Sequence, residues 1–455
     1  MTAAKPLSDL YADHHARLLA HYQSLLETGG WRGVVISSGS PVGVFGDDQA
    51  HPFRVNPRFR QWIPEGEYSR SFLVIDAGDR PRFVCHQPED YWHSAAPAPS
   101  GFWAEHFRLE CVPGPEEADR LVPAETRDYA FLGDPEDCPA GISPGGVNPA
   151  QLVRALDYHR AYKHEYEVEC IRRANRTAAA GHLAARAAFE SGASELAIHL
   201  AYLQATGQLE RQLPYFNIVA LNGHGAVLHY DALEPRSPAR VRSLLIDAGA
   251  CHLGYAADIT RTWTHAEDDF AALIERLDGA QRRLIAKIRP GMPFVELHRE
   301  MHCLIGGVLA DAGLVDMSSA AMVEEGVTAA FFPHGLGHHL GLQVHDVGGN
   351  LADELGTPLR QPEAYPFLRN LRTVEAGNVL TVEPGLYFIP QLLEALRARS
   401  CGRRVNWKAV DALRECGGVR IEDNVHVSGE GVENLTRAAL AVAAKAGGSQ
   451  SPGSG

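Results

Sequence analysis

Apolar positions at Leu10, Leu18, Leu19, Tyr22, Leu25 and Leu26, joined by His14, fall on one helical stripe, and the Gly29–Gly30 pair ends it. The period then changes. Short apolar runs at 33–37 (GVVIS) and 71–75 (SFLVI), with a further one at 82–85, alternate with helical or irregular segments. That alternation predicts an α/β domain over residues 1–140. The Pro- and Gly-rich stretch 137–149 reads as a linker. Asn148 and Pro149 then open a helical periodicity that runs through much of 150–191. Ser194 caps a further helix with Leu196, Leu200 and Leu203 on one face. From Tyr215 the pattern turns to strands: YFNIVALN, AVLHY, SLLIDAG and GYAADITRTW. Two helices follow near 268–288 and 294–313, then strands at 378–388 and 418–427 with a helical insertion at 390–415 between them. The tail from Gly447, GGSQSPGSG, is low in complexity and predicts disorder. The expected division is a smaller α/β domain over 1–150, a larger domain over 151–445, and a disordered tail over 446–455.

Bulk numbers narrow the class. The 455 residues suffice for two or three domains with large cores. Hydrophobic residues make 45% of the chain and charged residues 22%, the balance of a soluble globular protein. The formal net charge of −14, with no long basic run, argues against nucleic acid or an anionic membrane surface as partner. The eight cysteines are scattered without a CxxC pair, which suits free thiols in a reducing compartment. The N-terminus lacks the apolar core of a signal peptide, and no segment reaches membrane-spanning length. A cytoplasmic location is the expectation.

The chemistry concentrates in five places: Asp247 in LLIDAGA, Asp258 in YAADITRTW, His338 in PHGLGHHLG, Glu383 in LTVEPGLY and Glu422 in GGVRIEDN. Carboxylates on short apolar runs are costly to bury unless they meet a cation. A lone Asp is most often a turn or surface residue, so Asp247 and Asp258 are a weak signal singly. A hairpin between SLLID and the ITRTW strand would bring both to one sheet end. His334 and His338 are four apart, but three glycines argue against the helix a zinc pair would need. Four imidazoles at 334, 338, 339 and 345 are too many for all to be ordinary core or surface histidines. Glu383 has almost entirely apolar neighbours, and Pro384 stops its strand. Four carboxylates and one imidazole suit two hard or borderline divalent ions, Mn²⁺ first and Zn²⁺ or Co²⁺ next. Two such ions roughly 3.5–4 Å apart can share a hydroxide and steady a tetrahedral oxyanion, so amide or phosphoester hydrolysis is the natural chemistry.

These contexts, in this order, resemble the pita-bread metallopeptidases of family M24, which include methionine aminopeptidase, aminopeptidase P, creatinase and prolidase. The likeness implies an α+β fold: a C-terminal pita-bread domain behind a smaller creatinase-like α/β domain. It narrows to the prolidase (Xaa-Pro dipeptidase) branch through VFGDDQAHPFRVNPRFRQW, DYWH at 90–93, LPYFNIVALN, PHGLGHHLGLQVHDVGG, LRNLR at 368–372 and GGVRIEDN, spanning nearly the whole chain. It implies Asp247, Asp258, His338, Glu383 and Glu422 as ligands of two metals, with Glu383 also relaying the proton of the bridging water. It further implies that His334 and His345 contact substrate and stabilise the intermediate, and that Arg369 holds the C-terminal carboxylate through its bidentate fork. Tyr215, His229 and Arg420 match pocket-lining positions, and Trp92 matches an aromatic that reaches towards the site, in a homodimer across the subunit boundary. LRNLR stands where the branch commonly has LRCTR, so both arginines remain.

The activity implied is hydrolysis of Xaa-Pro dipeptides with a free proline carboxylate, alongside side hydrolysis of organophosphorus esters. The nearest rival is an Xaa-Pro aminopeptidase acting on longer peptides. A primary phosphotriesterase would use the same centre. A catalytically dead binding homologue would be expected to have lost ligands, and none is missing here.

Overall fold

The computed structural model describes residues 5–76, 78–88, 91–92, 97–122 and 128–448. Asp90 and His93 of the DYWH motif and the tail beyond Gly448 lie outside the described residues. The chain divides into two units: Met1–Arg160 with His164–Glu169 and Asp353–Thr357, and Ala161–Lys163 with Cys170–Ala352 and Pro358–Gly455.

In the first unit the N-terminal stripe forms the helix Leu7–Gly29, burying Tyr11, His14, Leu18, Tyr22 and Leu26. Gly30, at φ 70°, ends it in the left-handed conformation glycine adopts without a Cβ clash. Five strands make one mixed sheet: β1 (Gly33–Ser37), β2 (Phe72–Asp76), β3 (Arg82–His86), β4 (Arg108–Val112) and β5 (Tyr129–Leu132), in the order β4-β3-β2-β1-β5. Every residue of β1 is buried, which is why it reads as a continuous apolar run. The sequence pattern does not announce β4 or β5. The first is a half-exposed, partly charged edge strand, and the second has only four residues. The Pro- and Gly-rich stretch is ordered by two 3₁₀ turns, Pro135–Asp137 and Pro144–Gly146, and the Asn148 amide donates to Gly133 O at 2.8 Å.

The helical periodicity of 150–191 resolves into two helices, Ala150–Arg160 and Glu165–Glu190. A fresh start is set at His164, whose backbone N–H donates to Glu167 Oε2 at 2.8 Å.

The second unit builds an antiparallel sheet from β6 (Ile218–Leu221), β7 (Ser243–Asp247) and β10 (Thr260–Thr264), in the order β10-β7-β6. Between β7 and β10 lies the two-residue ladder of β8 (Cys251–His252) and β9 (Tyr255–Ala256). Further on, β11 (Val379–Val382) pairs with β14 (Asp423–Val427), which pairs with β15 (Val432–Asn434), while β12 (Gly385–Tyr387) pairs with β13 (Gly418–Arg420). Helices Asp269–Ile285 and Phe294–Asp311 bury Leu273, Leu277, Leu284, Leu297, Met301 and Ile305 in the main core. The insertion at 390–415 forms helices Pro390–Arg397 and Trp407–Leu413 around a 3₁₀ turn. The last helix, Leu435–Gly448, runs past the expected start of the tail.

Three expectations are corrected. AVLHY forms no strand: the chain turns through the 3₁₀ segment Asn222–Ala226 and continues irregularly. GYAADITRTW is broken around Asp258, because its backbone N–H donates to the Asn424 side chain at 3.0 Å instead of to a ladder. The helix Glu195–Thr206 has Leu196 and Leu200 exposed and buries Glu195, Ile198, His199 and Tyr202 instead.

Candidate active site

The four carboxylates sit at strand ends or within two residues of one. Asp247 is the last residue of β7, opposite Thr260 of β10, and Asp258 lies two residues before that pair. The antiparallel pairing therefore brings both carboxylates to one sheet end, although Asp258 lies off the strand. The Tyr215 hydroxyl reaches both, at 2.7 Å from Asp247 Oδ1 and 2.5 Å from Asp258 Oδ1. One proton serves two anionic acceptors there.

Glu383 follows β11, and Glu422 separates β13 from β14. One buried side chain behind them spans both approaches: Gln281 Nε2 donates to Val382 O at 2.8 Å and to Ile421 O at 3.2 Å. Those are the carbonyls just before the two glutamates. The Glu422 backbone N–H donates to Thr260 O at 3.0 Å and the Thr260 hydroxyl to Glu422 Oε2 at 2.8 Å, which ties this strand end to the Asp pair.

His338 arrives on the glycine-rich loop. A Cβ on Gly337 would stand 2.1 Å from Thr381 O, so only glycine lets the loop lie against β11. His338 N donates to Thr381 Oγ1 at 3.0 Å, and Thr381 N to His338 O at 2.9 Å. His338 Nδ1 lies 2.9 Å from the carbonyl of His339, so Nδ1 carries the proton and Nε2 presents its lone pair. That Nε2 faces Asp258 Oδ2 at 3.5 Å and Glu383 Oε1 at 3.6 Å.

Asp247, Asp258, His338, Glu383 and Glu422 line one cavity of about 280 Å³ with Leu228, His229, Pro333, His334, His345, Phe367, Arg369 and Arg420, while Tyr215 touches it only through the two aspartates. Four carboxylates face one buried guanidinium, Arg420, whose Nη2 is 2.8 Å from Asp247 Oδ2 and whose Nη1 donates to the Tyr387 hydroxyl at 3.0 Å. Burial first, and neighbouring carboxylates next, push Glu422 well above the usual carboxylate range. Burial likewise raises Asp247, and raises Glu383 to about 7. Glu422 Oε1 is buried without a hydrogen-bond partner. Ligand atoms of Asp258, His338 and Glu422 lie within 4.8 Å of one another. An orphaned carboxylate oxygen, an imidazole lone pair and clustered anions fit divalent cations.

The remaining expected residues divide. His334 and His345 line the cavity. His334 is fully engaged, with Nδ1 2.9 Å from Gly335 O and Nε2 2.7 Å from the Tyr387 hydroxyl. His345 stands edge-on to His338, ring centroids 4.5 Å apart. Arg369 is exposed at the cavity wall, whereas Arg372, 3% exposed, bonds Tyr162 at 2.7 Å and Glu375 at 2.8 Å. Trp92 is exposed in the first unit, its ring centroid 5.0 Å from that of Tyr91. Gln281, Thr260, Tyr387 and the walls Leu228 and Phe367 escape a reading of the sequence, because none carries a local pattern.

The fold and this cluster of acids around one imidazole define a metallopeptidase. The model of metallopeptidase family M24 matches residues 169–429, and that of the Xaa-Pro dipeptidase N-terminal domain matches 9–158. The chain belongs to metallopeptidase family M24, with a C-terminal pita-bread domain that follows a smaller N-terminal one in sequence. It is 46% identical over 434 residues to an Xaa-Pro dipeptidase of Aeromonas hydrophila, covering 95% of this chain and 99% of that one. It is 45% identical over 435 residues to one of Stenotrophomonas maltophilia, covering 95% and 98%. Among solved structures it is similar in fold to Escherichia coli aminopeptidase P with the inhibitor Pro-Leu, at TM-score 0.70 and 22% identity, covering 95% of this chain and 99% of that one. The zinc-substituted form of that enzyme in complex with product gives TM-score 0.70 and 22% identity, covering 95% and 98%.

Proposed function

We propose that the chain is a dinuclear-metal Xaa-Pro dipeptidase. The carrying observation is the convergence of Asp247, Asp258, His338, Glu383 and Glu422 on one cavity walled by the exposed Arg369. Relatives named Xaa-Pro dipeptidase, similar over 95% of the chain, support the same reading. Those five residues would hold two divalent ions, with Mn²⁺ favoured by the oxygen-rich set. When bound, the ions supply an activated water and a Lewis acid for the scissile carbonyl.

The chain's own groups do the rest. Glu383, beside the place the ions would take, would accept a proton from the activated water at its carboxylate and pass it to the proline nitrogen as the bond breaks. His345 sits beside the ligand His338 and is free to steady the developing oxyanion. His334, tied to Gly335 and Tyr387, would first have to release one of those bonds. Tyr215 and Arg420 hold the Asp247 side chain in place. Arg369 would receive the proline carboxylate and so limit the substrate to dipeptides. Leu228 and Phe367 supply apolar wall for the pyrrolidine ring.

The same centre would hydrolyse organophosphorus esters as a side reaction. A cytoplasmic homodimer, with Trp92 presented to the partner's site, completes the reading. Metal-stripped protein restored with Mn²⁺ tests it. Cleavage of Ala-Pro but not Ala-Pro-Ala supports the dipeptidase. Preference for the tripeptide moves the chain to an aminopeptidase P role, and failure on both overturns the peptidase reading.

A further inference from the structure

Leu228 and His229 reach the cavity from a segment that has no helix or strand between Ala226 and Ser243. Fixing such a segment costs backbone entropy at every residue, so something must hold it. One carboxylate does. Glu195, 1% exposed in the first turn of its helix, accepts four hydrogen bonds. Its Oε1 takes the Leu221 backbone N–H at 2.8 Å and lies 2.7 Å from His224 Nδ1. Its Oε2 takes the Tyr230 hydroxyl at 2.7 Å and the Glu234 backbone N–H at 2.8 Å. The four donors bracket Leu228 and His229 along the chain. The His224 and Tyr230 rings stack with centroids 4.6 Å apart, and Tyr230 packs with Leu245, Tyr387 and the partly buried Leu228.

We propose that Glu195 is a positioning residue that sets the substrate wall formed by Leu228 and His229, acting through the segment and not on the metal ligands. The substrate named in its test rests on the dipeptidase reading above. A carboxylate is specifically required. In Glu195→Gln the amide nitrogen must take one oxygen position or the other. At the first it meets the Leu221 N–H, and at the second the Glu234 N–H. A hydroxyl or imidazole can reverse its role, but a backbone N–H cannot. Every orientation therefore sets donor against donor.

The test uses full-length, Mn²⁺-loaded Glu195→Gln, the milder Tyr230→Phe, His229→Ala, and the Glu195→Gln/His229→Ala double variant. Glu195→Gln should raise KM for Ala-Pro about tenfold or more with a much smaller change in kcat, and with metal content per chain unchanged. Tyr230→Phe should move KM the same way by less. His229→Ala should absorb most of the Glu195→Gln effect, so the double variant resembles the single. Amide hydrogen exchange across 222–242 should accelerate in Glu195→Gln while β7 and β11 keep their protection. Additive KM effects, a loss confined to kcat or metal content, or unchanged exchange in 222–242 would overturn the proposal. Failure of the wild type on Ala-Pro would sink the dipeptidase reading alone, because the exchange comparison still judges Glu195.

Discussion

Glu422 and Asp423 are adjacent in sequence and both buried, yet their surroundings are opposite. Glu422 faces the cavity, with one oxygen on the Thr260 hydroxyl and the other without a partner. Asp423 points to the other side of the chain, where Arg261 meets Oδ1 at 2.6 Å, while Arg437 at 2.6 Å and Asn434 at 2.7 Å meet Oδ2. Burial would raise both. It prevails at Glu422, where other carboxylates add to it, and Arg261 and Arg437 reverse it at Asp423. One carboxylate is completed by the protein, and the other keeps an unpartnered oxygen that the proposed metal centre would engage. That difference separates structural acid from site acid, and substitutions can break it from either side.

The largest effect should come from the incomplete side. Asp258→Ala or Glu383→Ala should lower kcat on the order of a thousandfold or more with the fold kept, and substantial turnover in either variant would contradict the site. Asp423→Asn should do the reverse. It strands two guanidinium groups and should cost about 3 kcal/mol of stability by denaturant titration, while protein that remains folded still loads metal.

The two arginines of LRNLR carry the same contrast at smaller scale. Arg369→Ala should raise KM for a dipeptide roughly 10–100-fold, the worth of a charge-assisted contact, and leave the melting temperature nearly unchanged. Arg372→Ala removes bonds to Tyr162 and Glu375 and should lower the melting temperature instead. Equal KM effects from both would remove Arg369 as the length gauge.

Two buried histidines extend the contrast to pH. His298 and His302 are buried in contact, Nε2 to Nε2 at 3.2 Å, and burial lowers them to about 2 and about 4. Their folded values lie below the unfolded value, so between about pH 6.5 and about 4 the unfolded chain binds more protons. Stability from this pair is therefore present above about pH 6.5 and declines as the pH falls, by up to ~2 kcal/mol for each histidine at pH 5. A His298→Phe/His302→Leu variant should show a flatter acid limb in urea titrations. An unchanged limb would place the acid sensitivity elsewhere.

Much of this was open to a reader of the sequence, for a physical reason. Asp247, Glu383 and Glu422 each end or interrupt an apolar run, and four histidines crowd into residues 334–345. Composition and spacing expose such conflicts. The residues that complete the site produce none. Gln281 is one polar position in an amphipathic helix, and its acceptors lie 101 and 140 residues away. Glu195 looks like a favourable first-turn acid, and its burial inverts the helix face that the leucines suggest. The AVLHY segment has the alternation of a strand, but its tyrosine is bonded to Glu195 and no neighbour pairs with it. Long-range hydrogen bonds of this kind override local pattern and leave no trace in it.

The ligand-type residues run from Asp247 to Glu422 along the chain, and the last is joined to the first pair through Thr260. Synthesis must therefore have passed Glu422 before the set exists. A nascent or clipped chain that stops short of β13 lacks Glu422 and the Arg420 that balances Asp247. Loading of the proposed metal centre should wait until Glu422 has been made, and a copy truncated before it should fail to hydrolyse substrate however well its N-terminal unit folds.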